Sequence, residues 1–164
     1  MPERPVIRVV PVDLELRPAL LRLRVRPVQL DYVGAIDSLL ADATLCPGSE
    51  SMAILHGDTP VGYYRIEANA RSVAGLDFKV PALGLRTFLI DAHWQGRGIA
   101  TLALTALVAD LVKRHPIARL LVRTVNRDNH AALHLYLRAG FHDSGELYHG
   151  GRSSPQHLLL RVLP

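Results

Sequence analysis

Hydrophobic and polar positions along this chain repeat with two periods, one of two residues and one of about 3.6, which are typical of strands and helices. Their order, β-α-α-β-β-β-α-β-α-β-β, predicts one mixed α/β domain over residues 1–164, with about seven strands and about four helices. The predicted strands cover 6–12, 51–56, 61–68, 85–90, 118–125, 141–149 and 156–162. The predicted helices cover 14–25, 33–44, 100–114 and 130–140.

The stretch from 84 to 114 organises the rest of the chain, because it joins a strand to a helix through a glycine-rich turn, AHWQGRGIAT. Such a turn directs free backbone N–H groups at one point, where the helix dipole adds partial positive charge. Gly96 and Gly98 keep side chains out of that approach. The stretch therefore predicts a site for the diphosphate of a coenzyme.

The distribution of charge supports an anionic ligand at this turn. Residues 84–140 hold eight Lys and Arg against three Asp, whereas residues 31–83 hold three against seven Asp and Glu. A basic surface also suits nucleic acid, but aromatic residues make up only 5% of the chain and no nucleic-acid motif accompanies the charge. We therefore expect a coenzyme, no nucleic-acid partner, and a cationic second substrate beside the acidic segment.

Two further features bear on where the protein acts. No apolar run reaches the ~20 residues that span a bilayer, and the first residues lack the apolar region of a secretion signal. Cys46 is the only cysteine, so no internal disulfide can form. These observations predict a cytoplasmic protein with no membrane partner.

Two motifs resemble those of the GNAT superfamily of N-acetyltransferases. The turn QGRGIA fits the superfamily's acetyl-CoA diphosphate signature, Q/R-x-x-G-x-G/A. Downstream, the segment NHAALHLYLRAGF fits its N-x-x-A-x-x-x-Y-x-x-x-G-F pattern. The spacing of the motifs and the order of elements agree over nearly the whole chain, which looks most similar to the bacterial spermine/spermidine acetyltransferase branch. The resemblance implies a single domain with a central mixed, splayed sheet.

The same resemblance implies acetyl-CoA as co-substrate, no metal, and direct transfer to a primary amine in a ternary complex; it also allows a homodimer. The backbone of one strand would line the pantetheine arm and acetyl group, and the turn after it would bind the diphosphate. Asn129 would hydrogen-bond the pantetheine. The implied cofactor-binding residues are Phe88, Leu89, Ile90, Gln95, Gly96, Arg97, Gly98, Ile99, Ala100, Thr101, Asn129 and Ala132.

Tyr136 is the residue expected to carry the chemistry. Amine attack on a thioester releases a thiolate that must gain a proton, and a tyrosine with an ordinary pKa of ~10 is protonated at neutral pH. Asn129 and Tyr136 are seven residues apart, so both can face one ligand from the same side of a helix. Glu67 is the candidate general base, with Asp77, Asp91 or ordered water as alternatives.

Several alternatives stay open or are disfavoured. His130 and His134 have the spacing of zinc ligands, but the string HAALH lacks the metalloprotease glutamate and a third ligand. A dinucleotide-binding turn would need a third glycine. A small amine or polyamine is the favoured acceptor, although Arg86 would disfavour a polycation if it points inward. A protein or peptide amine, an amine antibiotic, and a non-catalytic acyl-CoA-binding regulatory module are the alternatives.

Overall fold

A computed structural model describes residues 6–24, 40–41, 46–148 and 155–164 of this chain. Within those ranges seven strands form one sheet in the order β1-β2-β3-β4-β5-β7-β6. The strands are β1 (Ile7–Pro11), β2 (Ser49–His56), β3 (Thr59–Glu67), β4 (Ala82–Ile90), β5 (Leu120–Asn126), β6 (His142–Tyr148) and β7 (Gln156–Val162). The α-helices whose ends are both described are α1 (Arg17–Leu21), α2 (Arg71–Ala74), α3 (Ile99–Arg114) and α4 (His130–Arg138), and a 3-10 helix covers Ala92–Trp94. This architecture confirms the predicted mixed α/β fold.

The strands β4 and β5 are a parallel pair in a sheet whose other described pairings are antiparallel. Their pairing runs only from Ala82↔Leu120 to Leu85↔Arg123. Beyond it β4 continues to Ile90, still paired with β3. A cleft therefore opens between β4 and β5, as the predicted splayed sheet requires.

Helices α3 and α4 cover one face of the sheet, and α1 and α2 cover the other. Because side chains alternate across a strand, Tyr64 of β3 packs on the α3 side while its neighbour Tyr63 packs with α1. Leu104, Leu107 and Leu111 follow helical spacing along α3, and this apolar stripe is fully buried. This burial against the sheet fixes the direction of α3, and with it the position of the turn at its N-terminus.

The first helix is shorter than the predicted 14–25, since it covers Arg17–Leu21 and the described residues Leu23 and Arg24 are not helical. Beyond the helix, the Arg24 N–H donates to Asp91 Oδ1 at 2.7 Å, and the Arg24 carbonyl accepts from the Ala92 N–H. These tertiary hydrogen bonds use backbone groups that a longer helix would have paired internally. The pattern of apolar residues alone could not predict where such bonds end a helix.

Two other predicted segments differ or fall outside the description. The predicted helix at 33–44 lies outside the described residues apart from Leu40 and Ala41, which are helical. The segment 69–83, where the sequence pattern predicted neither a helix nor a regular strand, contains α2 and the first residues of β4. Helix α2 ends at Gly75, where φ is +73°, a left-handed conformation that favours glycine.

Candidate active site

The cleft between β4 and β5 starts at a β-bulge. Arg65 of β3 pairs with Thr87, but the next residue, Ile66, pairs with Leu85, so Arg86 is the extra residue in β4. A bulge bends its strand and increases the local twist, which fits the separation from β5 at this point. The strand is thus bent where a ligand could enter between two neighbours of the sheet.

Backbone groups of β4 alternate between the cleft and β3. The Leu89 carbonyl lies against Gly62 of β3, and the Asp91 N–H donates to Val61 of the same strand at 2.7 Å. By alternation, the N–H and C=O groups of Phe88 and Ile90 point into the cleft, whereas those of Leu89 do not. Because unpaired backbone groups are costly when buried, this edge suits a ligand that carries amides.

Gln95 lies where the end of β4 meets the glycine turn. Its side-chain Nε2 donates to the Ile90 carbonyl at 2.9 Å, so the glutamine links the end of β4 to the start of the turn. The motif residue thus holds the turn against the cleft. This places the strand edge and the turn next to one another, as one ligand with an amide arm and a phosphate group requires.

The turn itself has the open geometry that phosphate binding needs. Gly96 and Gly98 have φ values of +78° and +76°, and a Cβ added to either would meet nothing within 4 Å. Gly98 is the N-cap of α3 and gives it no side-chain cap. The first helical hydrogen bond goes from the Leu102 N–H to Gly98, so the N–H groups of the three residues between them have no helical acceptor. Those residues are Ile99, Ala100 and Thr101.

Aromatic and cationic side chains lie beside this turn. The Arg97 guanidinium is 5.0 Å from the centroid of the Trp94 ring, a cation–π distance. Trp94 also approaches His56 with a centroid separation of 4.8 Å. Arg97 is exposed and so is able to reach an anion bound at the turn.

Tyr136 lies at the inner part of the cleft, with only 1% of its surface exposed. Its ring packs edge-on against Phe88 at 6.2 Å and against Phe141 at 5.2 Å. Burial raises the pKa of the Tyr136 phenol above its ordinary value, while the charge of Arg123 and a hydrogen bond between the two side chains act in the opposite direction. The phenol is therefore protonated at neutral pH and next to a strand that lines the cleft.

Asn129 begins the helix that carries this tyrosine. Its Oδ1 accepts from the Ala132 N–H at 3.3 Å and caps α4. Two predicted cofactor residues are therefore joined to one another, and the cap orients the helix face on which Tyr136 lies. Asparagine here serves the fold directly, whatever it also contacts in a ligand.

The three acidic candidates for a general base are engaged in other contacts, away from Tyr136. Glu67 is buried on the α1 and α2 side of the sheet, with Oε1 2.7 Å from the Arg65 guanidinium. Asp77 is exposed and pairs with Arg71 at 2.8 Å. Asp91 accepts from the backbone of Arg24 and His93 at the turn. The structure does not bring these carboxylates together with the phenol.

Arg123 was missed by the sequence analysis. Arg123 lies between Leu121 and Val125 on one face of β5, where the other two positions are apolar. Its guanidinium lies 5.4 Å from the Tyr136 ring centroid. A single arginine in an apolar row is a signal that could have singled it out. Arg86, which the sequence did single out, is exposed and donates to the Ser72 carbonyl of α2 at 3.4 Å.

The described ranges contain no cluster of three or more His, Cys, Asp or Glu side chains able to hold a metal ion. His130 and His134 are both exposed on α4. No helix in the described part of the chain is both long enough and apolar enough to cross a bilayer.

Comparison with known proteins agrees with this geometry. Residues 20–141 match the model of the Acetyltransferase (GNAT) family. A probable spermine N(1)-acetyltransferase of Bacillus subtilis subsp. natto is 32% identical over 152 residues, which are 88% of this chain and 93% of that protein.

Two solved structures share the fold. The aminoglycoside N(6')acetyltransferase of Legionella pneumophila has a TM-score of 0.74 at 14% identity, covering 99% of this chain and 95% of its own. The spermidine N-acetyltransferase of Vibrio cholerae, in complex with CoA and spermine, has a TM-score of 0.69 at 15% identity, covering 96% and 95%. With the family match over most of its length, this chain belongs to the GNAT family of N-acetyltransferases.

Proposed function

We propose that this enzyme transfers the acetyl group of acetyl-CoA directly to a primary amine, within a ternary complex of enzyme, acetyl-CoA and acceptor. The observation that carries the proposal is the cleft between β4 and β5, which extends from the glycine turn to the buried Tyr136. The spermidine N-acetyltransferase of Vibrio cholerae, solved in complex with CoA, has the same fold, which supports the choice of coenzyme.

The residues of the cleft fit the two ends of such a coenzyme. Phe88 offers its backbone N–H and C=O groups, and Ile90 its N–H group, to a pantetheine arm. Gly96 and Gly98 leave room for a diphosphate at the N-terminus of α3. Arg97 adds a cation that can move from Trp94 to a phosphate. Acetyl-CoA supplies the activated thioester; the protein supplies its orientation.

Tyr136 acts as the general acid in this proposal. As the amine nitrogen forms the new C–N bond, the C–S bond breaks and its electron pair stays on sulfur. The Tyr136 phenol gives its proton to that sulfur, and the proton lost by the amine passes to water or to Glu67, the candidate base. The raised pKa of the buried phenol keeps this proton in place until the thiolate forms.

A small cationic amine, with polyamines favoured, is the proposed acceptor. One relative, 32% identical, is a probable spermine N(1)-acetyltransferase, and the segment 31–83 carries more acidic than basic residues. Arg86 is turned toward the Ser72 carbonyl on the α2 side, which lessens the repulsion that its position in the sequence suggested.

An acceptor panel tests the proposal. Thiol release from acetyl-CoA is measured with spermidine, spermine, an aminoglycoside and a peptide with a free N-terminus, and we expect turnover to be fastest with the polyamines. Fastest turnover with the peptide or the aminoglycoside would overturn the choice of acceptor. Calorimetric binding of CoA without turnover on any amine would favour the regulatory module instead.

Substituting Tyr136→Phe tests the acid role. Loss of a positioned proton donor should lower kcat by about 10²-fold or more, with CoA affinity measured by calorimetry unchanged. Tyr64→Phe is the matched control, because the Tyr64 hydroxyl is buried on the same side of the sheet and has no hydrogen-bond partner among the described residues. Equal kcat for Tyr136→Phe and the native enzyme would refute the assigned role.

A further inference from the structure

Arg123 is a cation placed in an apolar row of β5. Its neighbours on the same face, Leu121 and Val125, have 0% and 3% of their surface exposed. Placing a charge among such neighbours is unfavourable unless hydrogen bonds or a ligand compensate for lost hydration. The contacts of its guanidinium therefore indicate what the charge does.

The guanidinium sits at the apex of the cleft. Arg123 forms the last pair between β5 and β4, with Leu85, and its Nη1 donates to the Leu85 carbonyl at 3.2 Å. The same nitrogen donates to the carbonyl of Arg86, the bulged residue. Arg123 thus donates to the carbonyls of the last paired residue of β4 and of the bulged residue after it, at the inner end of the cleft.

The same guanidinium faces the proposed acid. It lies over the Tyr136 ring at 5.4 Å, and the phenol is enclosed on other sides by Phe88 and Phe141. A fixed cation near a phenol stabilises the phenolate more than the neutral form. The Arg123 Nε is buried and has no hydrogen-bond partner among the described residues, so the group is not fully satisfied by the fold alone.

We propose that Arg123 is a positioning residue for Tyr136, which it holds at the apex of the cleft and whose negative charge it balances after proton transfer. The inference rests on the proposed acid role of Tyr136. When the phenol gives its proton to the departing sulfur, the phenolate forms beside the Arg123 cation; it then regains a proton from solvent. A purely structural role would instead consist of the two carbonyl hydrogen bonds alone.

A double-mutant cycle separates these two roles. We expect Arg123→Met to lower kcat by about tenfold or more in the native background, with little change in KM for acetyl-CoA. In the Tyr136→Phe background, the same substitution should add no further loss, because the group on which it acts is absent. Arg123→Lys, which keeps the charge, should recover part of kcat.

Melting temperatures of all the variants are measured alongside. A fall in kcat by the same factor in both backgrounds, tracking a fall in melting temperature, would overturn the inference and leave Arg123 a structural residue. If Tyr136→Phe keeps native kcat while Arg123→Met does not, the acid role fails and the inference fails with it. No turnover on any amine would count against the proposed function but not against this contact.

A second measurement needs no turnover. In protein labelled at the tyrosine rings, the NMR signal of Tyr136 is identified by its loss in Tyr136→Phe. Arg123→Lys is the variant that best keeps the fold, and Arg123→Met removes the cation. We expect the Tyr136 signal to move in Arg123→Met and to stay near its native position in Arg123→Lys. Unchanged signals in both variants would overturn the proposed contact.

Discussion

At the scale of single residues, Glu67 shows how surroundings alter the role that a residue type suggests. Its Oε1 lies 2.7 Å from the Arg65 guanidinium, with both side chains almost fully buried. Its other oxygen accepts from Ser49 Oγ at 2.5 Å, and that hydroxyl accepts from Arg65 in turn. These contacts give the Glu67 carboxylate a role in stabilising the fold. A test of its role as general base must therefore separate an effect on kcat from an effect on stability.

Glu67→Gln should lower the free energy of unfolding by about 3–5 kcal/mol, because it leaves Arg65 buried without its counter-ion. Urea unfolding measures this change. The combined variant Arg65→Met with Glu67→Leu replaces both charges by apolar groups and should recover most of the loss.

The kcat of this combined variant then tests whether Glu67 acts as the general base. Recovery of stability with kcat still reduced by about 10²-fold or more would assign Glu67 a role in proton transfer. Recovery of both stability and kcat would leave water as the acceptor of the amine proton. If the combined variant were as unstable as Glu67→Gln, the ion-pair explanation would itself be wrong.

At the scale of elements, the glycine turn and α3 could be predicted almost completely. The helix was predicted from residue 100 and starts at Ile99, and Gly96 and Gly98 leave the open space at the turn that was expected of them. These features are local, so the sequence determines them. Arg123 could not be predicted in the same way, because its acceptors belong to β4 and its role depends on where two strands separate.

Gly98→Ala should weaken CoA binding far more than it weakens the fold. The strain of a side chain at φ +76° costs about 1 kcal/mol, and nothing in the structure lies within 4 Å of the new Cβ. Gly145→Ala is the matched control, since Gly145 also has open space and a φ of +82° but lies in β6.

Calorimetry with CoA and urea unfolding compare the two variants. We expect similar losses of unfolding free energy, with CoA affinity reduced at least tenfold only for Gly98→Ala, because its Cβ enters the space proposed for the diphosphate. Equal CoA affinity in both variants would argue against the turn as the diphosphate site.

At the scale of the whole molecule, α3 links the proposed cofactor turn to the opposite end of the sheet. Arg114, at its C-terminal end, donates to Glu50 of β2 at 2.8 Å and to Asp110 at 2.8 Å. His115 approaches the same glutamate at 3.0 Å. This network fixes the C-terminal end of α3 to β2, and burial of the apolar stripe fixes the rest of the helix against the sheet.

The network predicts a pH dependence of stability. Burial acts to raise the pKa of Glu50, but hydrogen bonds from Arg114 and His115 outweigh it and hold the pKa below the ordinary 4.5. A carboxylate with a lowered folded-state pKa stabilises the fold above its unfolded-state pKa, and that contribution disappears as pH falls through the folded-state value. Acid should therefore remove the contribution of the Glu50 carboxylate to the stability of the fold.

Glu50→Gln should lower the free energy of unfolding at pH 7, measured by urea unfolding, by a small amount, on the order of 1 kcal/mol or less, because the side chain is partly exposed. The difference from the native protein should shrink as the pH falls below 4.5. Glu146→Gln, on the exposed strand β6, removes an equal charge outside the network and should show no such trend. A difference that stays constant over this range would contradict the assigned link.

The fluorescence of Trp94 can report on the binding of CoA at the glycine turn. Trp94 is the only tryptophan in the chain, and it contacts both the Arg97 guanidinium and the His56 ring, directly before the glycine turn. A phosphate that draws Arg97 away from the indole would change the surroundings of this one fluorophore. Titration of the unlabelled protein with CoA should therefore change its tryptophan emission in step with the calorimetric isotherm. Arg97→Met should alter the emission of the free protein and reduce the change, so cofactor occupancy can be followed by fluorescence during turnover.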